Sequence, residues 1–351
     1  LLIVPITGQA ADMSISIAPL DIDDESEIAH AYRIRARSLA VDEPEQPPAC
    51  RRRFLGQLRH PQPRHRQHWA LARLDGEPAG HLWANMPETE NLSTALVRLT
   101  VAPEARRRGV GRALYAYLVE LMRSEGRRHP VTMVARPLPG QATEIDAGTA
   151  FATSVGATPA LRSLRSRLDL SQLERSAYEA LRAEASSRAS GYRVIQWSDP
   201  AAEEHLADLA YLEGRLLVDA PSGELDWEGY RMDPARLREM EAARAAWGVR
   251  AHHSAVRHEA SGRLVAWTTL EFQASVDWHG LQQITIVDPE HRGRRLGLLV
   301  KIENLRYALA REPGLRVVDT YNADRNRHML DVNHLLGFRP AGEVTHWRST
   351  I

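Results

Sequence analysis

One block of eleven residues occurs twice in this chain, and it constrains the fold more than any other feature. Val101-Ala102-Pro103-Glu104-Ala105-Arg106-Arg107-Arg108-Gly109-Val110-Gly111 aligns without gaps on Val287-Asp288-Pro289-Glu290-His291-Arg292-Gly293-Arg294-Arg295-Leu296-Gly297. Val, Pro, Glu, two Arg and the closing Gly recur at the same offsets. Such self-similarity sets the number of modules before any local pattern is read. Each block follows a β-like run (95–101; 282–287), opens a long helical pattern (112–125; 298–311), and is followed by a short apolar strand (131–135; 316–320).

The surroundings repeat as well. In the first half a strand is predicted at 14–18 and a helix at 25–39 that Asp23 or Asp24 can cap. A Pro-rich break (44–48), a short helix (51–59) and a hairpin (69–74, 79–85) around Asp75-Gly76 follow. The second half reads as a strand at 192–197, helices at 201–217 and 234–247 flanking an irregular acidic insertion (219–233), and a hairpin (249–258, 264–273) around Ser261-Gly262. The order β-α-α-β-β-β-α-β-α-β thus appears twice, which predicts an α/β fold with mixed sheets in two tandem domains. The boundaries expected are 13–170 and 192–351, joined by a helical linker at 171–191. Residues 1–12, apolar at Leu1, Leu2, Ile3, Val4 and Ile6 and followed by Met13, read as leader or upstream residues.

Charge and cysteine content narrow the function. Lys+Arg and Asp+Glu both total 45, so no net charge draws the chain to nucleic acid or a membrane surface. The one cysteine, Cys50, excludes an internal disulfide and a thiolate metal site, and a reducing cytoplasm is the expected location. No run approaches the ~20 apolar residues of a membrane helix. The basic stretch Arg51-Arg52-Arg53 through Arg64-His65-Arg66-Gln67-His68 reads as a solvated helix and loop rather than a nucleic-acid contact. His65, His68, His252 and His253 lack a third ligand at metal spacing.

A strand that runs through Arg-x-x-Gly-x-Gly into a helix is an anion cradle. The first turn of a helix has N–H groups without partners, and its macrodipole adds positive charge. Small residues let a diphosphate approach those amides, and arginines add charge. Neither a dinucleotide fingerprint nor a P-loop is present.

At these residues the chain resembles the GNAT superfamily of acyl-CoA-dependent N-acyltransferases, in the tandem two-domain form common in actinobacteria. The first copy matches the family's acyl-CoA motif residue by residue. The second carries Arg295 where the first glycine is usual, a departure that is tolerable if the residue offers only its N–H and serious if it must adopt a positive φ. The later segment of the second half, from Asp319 through Asn322, Asn326, Met329 and Asn333 to Leu336-Gly337-Phe338, is similar to the family's closing strand, loop and helix. Asn333 stands where many members place a thiolate-protonating tyrosine. The first half's version, 148–157, is eroded.

The resemblance implies acetyl-CoA as cofactor and a small-molecule amine as partner. It implies that Thr285, Ile286, Val287, Arg292, Gly293, Arg294, Arg295, Leu296, Gly297, Leu298, Asn322 and Asn326 hold the coenzyme in the second domain. In the first domain the equivalents are Leu99, Val101, Arg106, Arg107, Arg108, Gly109, Val110, Gly111 and Arg112. The N–H of Val287 is the implied oxyanion donor. Glu271 is the candidate base, and an exposed strand residue would read the same. Asp219 and Glu224 are candidate amine-binding acids or solvated loop residues, and Gln283 is a polar candidate on the motif strand. No metal is expected.

Overall fold

The computed structural model describes residues 14–138, 146–219, 223–225, 227–229 and 231–351; residues 1–12, for which the sequence offers a leader or upstream reading, lie outside them. By compactness the described chain divides into two units. Unit 1 runs to Arg136, resumes over 146–160 and closes with Thr345–Ile351, whereas unit 2 centres on Leu161–Val344. A single cut in sequence therefore does not reproduce the division.

Unit 1 starts with strand β1 (Ile15–Pro19) and helices α1 (Glu25–Asp42) and α2 (Arg51–Arg59). Asp24 caps α1 by accepting from the N–H groups of Ser26 and Glu27, which removes two orphan donors. Strands β2 (His65–Leu74) and β3 (Glu77–Pro87) are joined by Asp75 (φ +53°) and Gly76 (φ +85°), a pair whose positive φ suits the strand twist. The basic residues 65–68, expected in a loop, are instead the first rungs of β2, paired from His65↔Pro87 to His68↔Ala84. Ladder hydrogen bonds decide there, which the charge pattern does not report. Then come β4 (Thr94–Val101), helix α3 (Val110–Ser124), β5 (His129–Arg136), α4 (Ala147–Ser154) and β6 (Thr158–Asp169). On α3 the buried residues Val110, Leu114, Leu118 and Met122 recur every fourth position and pack on the sheet.

Unit 2 repeats the plan after helix α5 (Arg175–Ser187): β7 (Tyr192–Ser198), α6 (Leu206–Asp219), α7 (Pro234–Ala246), β8 (Val249–His258), β9 (Leu264–Gln273), β10 (His279–Val287), α8 (Leu296–Leu309), β11 (Val317–Ala323), α9 (Arg327–Leu335) and β12 (Arg339–Arg348). Here α8 and α5 pack on one face of the sheet, with Leu299, Ile302 and Leu305 against Tyr178, Leu270 and Val318. The opposite face carries α6 and α7. Strand β11 pairs antiparallel with β6, a strand from the first half of the sequence (Val317↔Asp169 to Ala323↔Ser163). In unit 1 the chain end does the reciprocal work, as Ser349 and Ile351 donate to the carbonyls of Pro130 and Arg128.

In both units the motif strand and its parallel neighbour are paired only at their starts. In unit 1, β4 and β5 pair at Thr94↔His129, Ala95↔Pro130 and Leu96↔Val131. In unit 2, β10 and β11 pair from His279↔Val317 to Gln282↔Thr320. Among the described residues the backbone groups of the inner edges beyond those rungs have no ladder partner, which leaves a cleft beside each motif.

Candidate functional site

Each repeated block ends its strand, makes a short 3-10 turn (Pro103–Ala105; Pro289–His291) and passes two left-handed residues before the helix. These are Arg107 (φ +62°) and Gly109 (φ +87°) in unit 1, and Gly293 (φ +80°) and Arg295 (φ +55°) in unit 2. Left-handed residues within a turn gather successive N–H groups into an anion-binding concavity, here placed at a helix N-terminus. The positive φ expected to be serious at Arg295 is therefore present. A non-glycine residue there costs roughly 1–2 kcal/mol. The turn is held by its surroundings: the Arg295 carbonyl accepts from Leu299 (3.0 Å) and its guanidinium pairs with Glu184 (3.0 Å).

The first arginine of each motif has a structural commitment. Arg106 donates to Asp42 (2.8 and 2.7 Å) and Ser38 (2.9 Å) at the end of α1. Arg292 donates to Asp219 (2.7 Å) at the end of α6 and, through Nε, to the Val287 carbonyl (3.1 Å). Both arginines fasten the turn to the preceding helix, so their segments offer the coenzyme backbone amides above all. Asp219 is engaged by Arg215 (2.5 Å) as well. Burial would raise its carboxyl, but Arg215 and then Arg292 outweigh that and hold it below the usual range. A cationic amine would have to displace two guanidinium groups, so the structure does not bring Asp219 to an acceptor as a free acid. Glu224 is exposed in the turn at 223–224.

Arg107, Arg108, Arg112, Arg294 and Arg295 line the exposed outer side of the two turns. Arg108 lies 3.4 Å from Asp75, and Arg294 folds back on the carbonyl of Glu290 (3.2 Å). Val110, Leu296 and Leu298 are buried in the cores, so they too have only backbone to offer. Ile286 is buried on the α6 face.

Ladder alternation fixes what the motif strand presents. Asp288 donates to Val265 (2.8 Å), so Val287 opposite Ala266 and Thr285 opposite Thr268 are pairs without mutual backbone hydrogen bonds. Their N–H groups face away from β9, into the cleft beside β11. Leu99 and Val101 are placed alike in unit 1, since Ala102 donates to Ala79 (2.9 Å).

Space at the helix start differs between the units. A Cβ added to Gly297 would meet only Val287, at 3.4 Å, and one added to Gly293 would meet nothing within 4 Å. At Gly111 the added atom meets the ring of Phe151, from α4, at 3.3 Å. The turn of unit 2 is thus open to a diphosphate, and its donors suit an acyl-CoA.

The α6/α7 face of unit 2 holds the reactive candidates. The pairing of β10 with β9 slips between Gln282 and Thr285, a bulge that sets Gln283 and Ile284 opposite the single residue Thr269. Gln283 then donates to the Glu271 carboxylate (2.8 Å), joining two residues that the sequence singled out separately. Sequence reasoning missed the bulge and the groups beside it. His253 lies 2.8 Å from Asp199 and 2.9 Å from the Thr269 hydroxyl, and Arg244 bonds Asp199 at 3.3 Å. Cross-strand pairing of β8 with β9 puts His253 and Thr269 on one face, while Arg244 comes from α7 and Asp199 from the end of β7; the sequence marks His253 only as one of two adjacent histidines. Burial would lower Arg244, but Asp199 and then Glu271 raise it, which sets its charge near both acids.

On the other rim, Asn326 caps α9 by accepting from the N–H of Met329 (3.3 Å). Asn333 is buried and donates to the Asn322 side chain (2.7 Å). Among the described residues no group of three or more His, Cys, Asp or Glu could hold a metal, and no helix is long and apolar enough to cross a membrane.

Comparison with known proteins agrees with this geometry. Residues 29–137 match the sequence profile of the acetyltransferase (GNAT) family. A tandem GNAT protein from the clavulanic acid biosynthesis pathway, solved without AcCoA, superposes with a TM-score of 0.80 at 28% identity, covering 96% of this chain and 98% of that one. A GCN5-related N-acetyltransferase from Sphaerobacter thermophilus gives a TM-score of 0.63 at 15% identity over 96% of this chain and 95% of that one. Saccharomyces cerevisiae N-myristoyltransferase with bound myristoyl-CoA gives 0.58 at 12% identity over 99% and 79%. No curated protein sequence matches significantly. Residues 29–137 thus match the acetyltransferase (GNAT) family, and the chain as a whole has the two-unit fold of a tandem GNAT protein.

Proposed function

We propose that this protein is an acetyl-CoA-dependent N-acetyltransferase acting on the amine of a small molecule, with transfer in unit 2 and unit 1 either structural or holding a second acetyl-CoA. The observation that carries the reading is the bulge of β10, which joins Glu271 to Gln283 beside an open cleft and an uncovered helix start. The coenzyme supplies an activated acyl thioester; the amides from Arg292 to Leu298 hold its diphosphate, and Asn322 and Asn326 border its arm. The N–H of Val287 points where an oxyanion would develop, a stabilisation of large typical size. An alkyl ammonium has a pKa near ~10, so the amine needs a proton acceptor. Glu271 is that acceptor, oriented by Gln283. The tandem relative from clavulanic acid biosynthesis favours an acceptor from secondary metabolism, such as an antibiotic amine.

One observation favours a second reading, a non-catalytic acyl-CoA sensor. Asn333 replaces the tyrosine expected to protonate the departing thiolate, and its amide is tied to Asn322. Free-thiol release from acetyl-CoA against a panel of amines separates the two. Transfer that Glu271→Gln depresses across the pH range supports the enzyme. Tight CoA binding with no turnover on any amine supports the sensor.

A further inference from the structure

We propose that unit 1 carries, on its α1/α2 face, a binding site for a small organic carboxylate. Three arginines from three elements converge there: Arg35 on α1, Arg53 on α2 and Arg98 on β4. All three are half-buried, and among the described residues none has a carboxylate within ion-pair distance. Glu43 acts on Arg35 and Arg98 only at longer range. Arg98 rests over the Trp83 ring, 5.2 Å from its centroid. That contact offsets part of its desolvation and leaves the guanidinium hydrogens unused.

Next to the arginines lie polar groups that the fold does not satisfy. His81, 1% exposed, has no partner on either ring nitrogen; the indole N–H of Trp83 and the amide oxygen of Asn85, itself 1% exposed, are likewise unpaired. The three alternate along β3 and so share one face of the sheet. Burial and then the charges of Arg35 and Arg98 push His81 down to about 3, and burial, Arg35 and Arg53 bring Arg98 down to about 9. The ring is neutral there and the site is short of negative charge.

Buried polar groups without partners are costly to a fold, and so are like charges held close together. A bound anion removes that cost. The neighbours decide its class: Phe54, Trp69, His81 and Trp83 pack edge or face to one another at 5.3–6.4 Å beside the arginines, aromatic surroundings that suit a carbon skeleton rather than inorganic phosphate. A guanidinium fork matches a carboxylate. Arg98 precedes Val101 by three residues, about 10 Å of strand. The carboxylate can therefore belong to a free acid or to the far end of a dicarboxylic acyl chain on a coenzyme in the β4/β5 cleft.

The test uses the full chain and two probes. Glutarate binding is measured by calorimetry and by thermal shift, and glutaryl-CoA affinity is compared with that of acetyl-CoA. The expected result is glutarate binding that raises Tm, or a glutaryl-CoA preference of tenfold or more; the first assigns the site to a free acid and the second to the acyl chain. Arg98→Leu should abolish whichever effect is seen and raise the Tm of the unliganded chain, because it relieves the repulsion from Arg35 and Arg53. Arg35→Gln, on the helix, should weaken it about tenfold and serves if Arg98→Leu does not fold. The proposal fails if neither probe binds above the acetyl-CoA control, or if both variants bind as the parent does. None of these readouts depends on acetyl transfer in unit 2.

Discussion

The two repeats use the same backbone for opposite surroundings. Opposite Trp83 in unit 1 stands one residue, Arg98, in a regular ladder; opposite the equivalent Thr269 in unit 2 stand two, Gln283 and Ile284, in a bulge. Asn85 occupies the register place of Glu271, five residues beyond the paired glycine or alanine facing the motif valine. One face is cationic and aromatic, the other carries a carboxylate held by an amide. The helix start is covered by Phe151 in the first and uncovered in the second. Duplication has kept the fastening of the turn, with Arg106 on Asp42 and Arg292 on Asp219, and has released what lies around the reacting centre.

The largest expected difference tests that asymmetry. Glu271→Gln should lower kcat by about 100-fold or more, the usual size for a lost general base. Its register equivalent, Asn85→Ala, should leave kcat within about twofold. Equal losses in a steady-state thiol assay would erase the distinction between the faces. A smaller effect concerns acid stability. The folded pKa of His81 is about 3 against an ordinary 6.5, so the unfolded chain takes up a proton that the native one does not as pH falls through that window. Stability is then fully present above 6.5 and is lost toward 3. His81→Phe should flatten this loss in urea titrations of unit 1's transition. The smallest effect lies in the turns. Arg107→Gly should stabilise the chain by about 0.5–1 kcal/mol, the strain of a left-handed residue less the added freedom of the unfolded glycine. Arg295→Gly should gain less, since it also loses the pair with Glu184. A destabilisation at Arg107 would mean that the turn is not strained.

Much of this was legible in the sequence because it follows period and chemistry of the chain itself. The repeated block located both helix starts, Asp24 announced its cap, and Asp75-Gly76 and Ser261-Gly262 announced the hairpins. Glu271 and Gln283 were each visible as polar residues on apolar strands. Their contact was not, because one extra residue in β10 turns Gln283 toward Glu271 and no local pattern marks a bulge. The arginine cluster was hidden for another reason: Arg35, Arg53 and Arg98 are distant in sequence, and only the pairing of α1, α2 and β4 brings them together. A lone Arg inside the apolar run Thr-Ala-Leu-Val-Arg-Leu-Thr-Val of β4 was the available signal. The crossing of β6 and the chain end between units follows strand pairing, to which linear order is blind.

Transfer at the helix start of unit 2, as proposed, separates the two glycines that open the motif helices. Thiol release by Gly297→Trp and by Gly111→Trp, measured side by side on one amine, tests it most directly. The indole at 297 is expected to fill the open turn and abolish transfer, while the one at 111 leaves most of it. Transfer surviving at 297 and lost at 111 would contradict it.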